Sequence, residues 1–243
     1  MNETINNFKP FDTIAGINQI EEIENYILPD TIIITMDDIW SLYKKRFPKN
    51  IDVYFVNTLE EKELEREVSK FKNYKMIIGF GGGQALDIAK FFSWKCNLKL
   101  FQFPTSISVD AVFGHRSGIR RGGNVNYIGW AIPECVFLDY EIIQSAPKIY
   151  NYSGIGDVLC FYTGVLDWQY ANKQNKCEGK WSYNSELANK SLGYVEDLLL
   201  NVENIKEMNE EGINAIINAH QWGGNSFFSS GWNPRHIEGI EHF

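Results

Sequence analysis

The stretch Ile77-Ile78-Gly79-Phe80-Gly81-Gly82-Gly83-Gln84-Ala85-Leu86-Asp87-Ile88-Ala89-Lys90 constrains this chain more than any other. A β-branched apolar run breaks on three consecutive glycines and continues in a helical pattern. Three glycines let the backbone turn tightly and leave no Cβ atoms over the turn. The first amides of the helix then point outward, at the positive end of its dipole, and together these make a site for a phosphate or a pyrophosphate. Ala85 and Ala89 are small enough for this helix to lie close to a sheet. The pattern is neither a GxGxxG fingerprint after a first strand nor a Walker A loop, since no GK[ST] follows. A purely structural tight turn is the alternative, but the placement between a strand and a helix favours an anion.

The rest of the first half repeats the same alternation. Thr31–Met36, Ile51–Val56, Met76–Ile78, Leu100–Phe103 and Cys135–Leu138 read as strands. Between them lie helical stretches, among them one carrying Leu64, Val68 and Phe71 on a single face, with Thr58 and Glu61 at capping-box spacing before it. Apolar strands without clean alternation, separated by amphipathic helices, predict an α/β domain with a mainly parallel sheet covered on both faces, over residues 1–150. Beyond Pro147 the strand-like runs vanish. Asp157–Ala171, with a stripe of Leu159, Tyr162, Leu166 and Tyr170, then Leu187–Leu200 and Ile213–Phe228, predict an all-helical second domain over residues 151–243.

Composition removes several classes of function. With 23 Lys+Arg against 31 Asp+Glu, the net charge of -8 leaves no broad positive surface for a nucleic-acid backbone. No run approaches 18 apolar residues, so no membrane insertion is expected, and nothing after Met1 reads as a secretory leader. Cys96, Cys135, Cys160 and Cys177 contain no CxxC and read as reduced thiols in a cytoplasmic protein.

Two further stretches carry polar chemistry. Phe103-Pro104-Thr105-Ser106-Ile107-Ser108-Val109-Asp110 follows a strand whose end lies on the same side as the glycine turn. Thr105, Ser106 and Ser108 are candidates to bond a ribose or phosphate, and Asp110 to stand near a reacting centre; an ordinary polar loop is the alternative. Arg116, Arg120 and Arg121 form a basic island in an acidic chain. It suits a substrate phosphate, and equally a solvated turn between two strands.

With these residues in view, the chain resembles the iron-containing alcohol dehydrogenase and dehydroquinate synthase superfamily, in its glycerol-1-phosphate dehydrogenase branch. The resemblance implies a Rossmann-like domain that binds NAD(P), a helical domain that binds a divalent metal, and catalysis in the cleft between them. Gly81, Gly82 and Gly83 match the pyrophosphate turn, and Asp87 and Lys90 the downstream Asp and Lys of that motif. Thr105 matches a Pro-Thr loop, and Asp110 the loop aspartate beside nicotinamide and substrate. Ser153-Gly154-Ile155-Gly156-Asp157 resembles the Gly-Asp metal signature, with Asp157 as first ligand. Thr163, Asp167 and Trp168, and later Arg235, Gly239, Glu241 and His242, follow the branch pattern, with His242 as second ligand.

Departures accompany the match. Val109-Asp110-Ala111 stands where the branch has His-Asp-Gly, and Arg235-His236-Ile237-Glu238 where it has Arg-Pro-Ala-Ser. The family's later histidine ligand has no counterpart, so the resemblance implies a C-terminally truncated member with an incomplete helical metal-binding domain. His220 is a candidate substitute ligand, though a helix histidine capped by water or a backbone carbonyl is the favoured reading. The implied activity is NAD(P)-dependent, metal-assisted interconversion of glycerol phosphate and dihydroxyacetone phosphate, with zinc expected before nickel or iron, in a homo-oligomer. The alternatives are a catalytically weak or inactive member that binds nucleotide or serves as a subunit, and a polyol or alcohol dehydrogenase of the same superfamily.

Overall fold

The computed structural model describes residues 11–239, and these divide into two compact units. One comprises Phe11–Ser106 with Gly114–Ala146. The other comprises Ile107–Phe113 with residues 147–239. The sequence reading draws a single boundary near residue 150. In the structure, the short stretch after Ser106 groups with the helices before the chain returns to the α/β unit at Gly114.

The α/β unit is built on strands β1 (Thr13–Gly16), β2 (Thr31–Thr35), β3 (Asp52–Phe55), β4 (Met76–Gly81) and β5 (Lys99–Pro104), a hairpin of β6 (Ser117–Arg121) and β7 (Asn124–Ile128), and β8 (Cys135–Asp139). Six strands form one parallel sheet in the order β1-β8-β5-β4-β2-β3. The five strands expected from sequence all lie in it. β1, which offers only four residues of weak pattern, was not expected. β2, β4 and β8 are buried at every position, as strands covered on both faces are. The period of two sorts their side chains. Ile32, Ile34 and Ile77 face a core with Leu64, Phe71, Ile88 and Phe92, whereas Ile33, Met76, Ile78 and Phe80 face one with Ile20, Ile23, Phe47 and Ile142.

The helices of this unit are α1 (Gln19–Glu22), α2 (Asp37–Tyr43), α3 (Glu61–Glu67), α4 (Gly83–Cys96) and α5 (Tyr140–Ser145). The expected capping box before α3 does not form. Glu60 takes the N-cap position, Thr58 Oγ1 accepts the Glu60 amide at 3.1 Å, and Glu61 is the first helical residue rather than the third. Its carboxylate is needed elsewhere, in an ion pair with Arg121.

The helical unit consists of α6 (Lys148–Lys173), α7 (Ser185–Leu200), α8 (Val202–Glu207) and α9 (Glu210–Ser229). α6 starts nine residues before the expected Asp157, directly after Pro147, a residue that suits a helix start because it has no amide hydrogen to satisfy. Asn184 and Asn209 cap α7 and α9 through their side-chain oxygens. α6 packs on α7 and α9, with Val165, Trp168, Leu187 and Ala188 forming a buried cluster. Among the described residues no helix is long and apolar enough to cross a membrane, and the four cysteines form no disulfide.

Candidate functional site

β4 delivers the glycine turn to the point where the sheet changes direction. From β2 the chain adds β3 on one side, then returns to the other side of β2 with β4 and continues to β5 and β8. Ligands of open parallel sheets bind outside the strand carboxyl ends at such a reversal. The three glycines there have different reasons to be glycine. Gly81 has φ +153°, and a Cβ on it would lie 2.9 Å from the Ala85 Cβ, so α4 sits too close for any side chain. Gly82 is under neither constraint. Its φ is -80°, and the nearest atom to a Cβ there would be Ser106 Oγ at 3.8 Å. Gly83 begins α4, a helix of 14 residues whose opening amides have no acceptor within the helix.

The neighbouring strand brings its polar end to the same place. Gly81 pairs with Pro104, and the Thr105 amide donates to the Gly81 carbonyl at 3.0 Å. Thr105 is buried and Ser106 half-buried. Gly81, Gly82, Gly83, Thr105 and Ser106 therefore form one cradle: bare backbone, helix-terminal amides and two hydroxyl side chains. That combination suits a diphosphate.

Asp87, grouped with the cofactor residues by sequence, is engaged elsewhere. Its Oδ1 pairs with Lys90 Nζ at 2.8 Å, and its Oδ2 would lie 2.9 Å from a Cβ on Gly118 of β6. Lys90 is buried and also donates to the carbonyls of Arg116 (2.7 Å) and Gly114 (3.2 Å). The Asp–Lys pair thus ties α4 to the chain entering the hairpin. The arginine island lies on that hairpin as well. Arg121 pairs with Glu61, with Nη2 2.9 Å from Oε1, Arg120 donates to the Gly123 carbonyl at 3.0 Å, and Glu60 accepts the amides of Gly122 and Gly123. These groups close the turn between two strands.

Ser108, Asp110 and Asp157 belong to the helical unit. Asp157 Oδ2 accepts the Asp110 amide at 3.1 Å and lies 3.6 Å from His220 Nε2. His220 is buried, with Nε2 also 3.3 Å from the Gly154 carbonyl, in line with the reading of a histidine bonded to backbone. Burial pushes its pKa down, opposed by the charge of Asp110 and the Gly154 carbonyl. His242, the expected second ligand, lies outside the described residues, as does Glu241. Among the described residues no group of three His, Cys, Asp or Glu side chains could hold a metal ion, so these residues alone do not fit a three-ligand catalytic centre.

The branch-specific residues converge elsewhere in the helical unit. Asp167, Trp168, Arg235 and Gly239, far apart in sequence, line one cavity of about 450 Å³ together with Trp181 and Glu238. Trp168 Nε1 donates to the Trp181 carbonyl at 2.9 Å, and the Arg235 guanidinium stands 5.1 Å from the centre of the Trp181 ring. Thr163 is exposed and bonds its own helix at Cys160. The tryptophan at 181, absent from the sequence reading, carried no motif to mark it.

A parallel sheet turning over a bare glycine cradle at the start of a helix defines a Rossmann-like α/β architecture, followed here by a helical bundle. Comparison with known proteins agrees. The sequence model of the family described as iron-containing alcohol dehydrogenase matches residues 35–147. The glycerol-1-phosphate dehydrogenase [NAD(P)+] of Pyrococcus horikoshii is 30% identical over 247 residues, covering 96% of this chain and 70% of the relative. That of Methanococcus maripaludis is 30% identical over 198 residues, 81% of this chain and 56% of the relative. The crystal structure of glycerol dehydrogenase from Schizosaccharomyces pombe superposes with a TM-score of 0.72 at 18% identity, over 90% of this chain and 61% of that one. The chain belongs to the iron-containing alcohol dehydrogenase and glycerol-1-phosphate dehydrogenase-like superfamily. Membership is consistent with NAD(P)-dependent oxidoreductase activity.

Proposed function

We propose that the protein is an NAD(P)-dependent oxidoreductase that interconverts a glycerol phosphate of the sn-glycerol-1-phosphate type with dihydroxyacetone phosphate. The observation that carries the reading is Gly82, a glycine that neither backbone conformation nor packing demands, beside Ser106 at the mouth of a helix. A side chain is left out where a ligand needs the space. In this reading the amides of Gly81, Gly82 and Gly83 hold the cofactor diphosphate, and Thr105 and Ser106 bond its phosphate or ribose oxygens. Asp110 stands by the substrate, with Ser108 on the same loop. NAD(P)H held there would supply a hydride for the ketone carbon in the reducing direction, with one proton taken up at the ketone oxygen, to give NAD(P)+ and the secondary alcohol. The phosphate on the substrate rests on the names of the relatives rather than on an arginine, since Arg120 and Arg121 are engaged in the hairpin.

The divalent ion is assigned to Asp157 with His242, and zinc, nickel or iron titration calorimetry tests that assignment separately from turnover. Rates with dihydroxyacetone phosphate and NADH or NADPH, with each metal in turn, test the activity. Folded protein with no turnover above background under any of these conditions would overturn the reading. A second reading is a nucleotide-binding member without catalysis. It expects cofactor binding with neither turnover nor tight metal uptake.

A further inference from the structure

α6 carries Asn151, Gly154 and Asp157 at i, i+3 and i+6, one turn apart on the same face. All three meet the backbone that leads to Asp110. Asn151 is fully buried, and its Oδ1 accepts the Ile107 amide at 3.1 Å across 44 residues of sequence. Gly154 has no side chain where a Cβ would run into the Ile107 carbonyl oxygen. Asp157 Oδ2 accepts the Asp110 amide. An asparagine and a glycine in a helix interior are poor helix formers, the glycine by about 1 kcal/mol against alanine. This helix forgoes that stability on two successive turns, and in return a buried loop amide finds its acceptor and the loop backbone its close approach.

We propose that Asn151 is a positioning residue: with Gly154 it docks residues 107–110 on α6, so that Asp110 is presented beside Asp157 at a set height on the helix. The proposal rests on the oxidoreductase reading for its effect on turnover, and on geometry alone for the docking itself. Asn151 shares the holding of this loop with Asp157 and with Ser153, whose Oγ donates to the Ser108 carbonyl at 3.4 Å.

The test compares the full-length protein with Asn151→Leu, which keeps the size and loses the acceptor, and with Gly154→Ala, which pushes the same loop from a different atom. Hydrogen exchange followed by mass spectrometry should show the 107–110 amides losing protection by about tenfold while α7 and α9 stay as protected as before. kcat should fall by about tenfold or more in both variants, as misplacement of a reacting group predicts, with cofactor Kd within about twofold of the parent. Unchanged exchange and unchanged kcat in folded Asn151→Leu would overturn the proposal. So would a loss of protection spread evenly over α6, α7 and α9, the mark of a merely structural residue. If Asn151→Leu does not fold, Gly154→Ala decides by the same readings. If the parent itself shows no turnover, the oxidoreductase reading fails and the exchange measurement alone decides the docking.

Discussion

At the scale of single residues, the glycine cradle is legible because its signal is an absence of side chains at contiguous positions. What the three glycines do individually was not legible. Gly81 is required by the fold, since its φ of +153° and the 2.9 Å approach to Ala85 leave no room for a Cβ. Gly82 is not, and this gives a clean prediction. Gly82→Ala should weaken binding of NAD(H) or NADP(H) by about tenfold or more, roughly 1.4 kcal/mol, while thermal unfolding stays close to that of the parent. Calorimetry beside a melting curve checks it; equal affinity in the variant would mean that the diphosphate does not lie over Gly82. Asp87 and Lys90 show the converse. Their motif is plain in the sequence, yet their charges meet each other and two backbone carbonyls rather than the turn. Contiguous sequence announces which residues travel together, and only packing reveals what each one faces.

At the scale of elements, α6 shows where periodicity stops informing. Leu159, Tyr162, Leu166 and Tyr170 make a helical stripe, and the structure leaves all four exposed, from 44% to 68%. The buried stripe is Val158, Phe161, Val165 and Trp168. Both sets satisfy three- and four-residue spacing because the helix is apolar around most of its circumference, so the period alone cannot choose between them. Packing on α7 and α9 does. Val165→Ala should therefore cost about 2 kcal/mol in urea unfolding, while Leu166→Ala should stay within about 0.5 kcal/mol. A reversal of that order would place the inward face where the sequence reading had it. α3 fared differently: Leu64 in the helix and Phe71 in the 3-10 turn that follows it are fully buried, with Val68 between them half-buried, because the other face is charged and leaves one choice.

At the scale of the whole molecule, stability should depend on buried histidines. His115, stacked on Trp130 and met edge-on by Phe11, and His236, beside Ser226, are both pushed down to about 4 by burial, from 6.5. His220 is lowered for the same reason. Between pH 6.5 and 4 the unfolded chain binds protons that the folded one refuses, so this contribution is fully present above pH 6.5 and is lost as pH falls toward 4. Unfolding in urea at pH 7.5 and at pH 5 should differ by about 2 kcal/mol for each of His115 and His236. Equal stability at the two values would show that these rings are already solvated. The sequence by itself determined the α/β start, the helical continuation and the glycine cradle, since each is written in a local pattern: apolar runs, spacing of three and four, and missing side chains. Tertiary structure alone decided that residues 107–113 group with the helices, that Asn151 reaches Ile107, that the arginines close a hairpin, and that Asp167 and Arg235 share a cavity. Those are meetings between residues tens of positions apart. Their geometry is set by how whole elements pack, which no window of neighbouring residues contains.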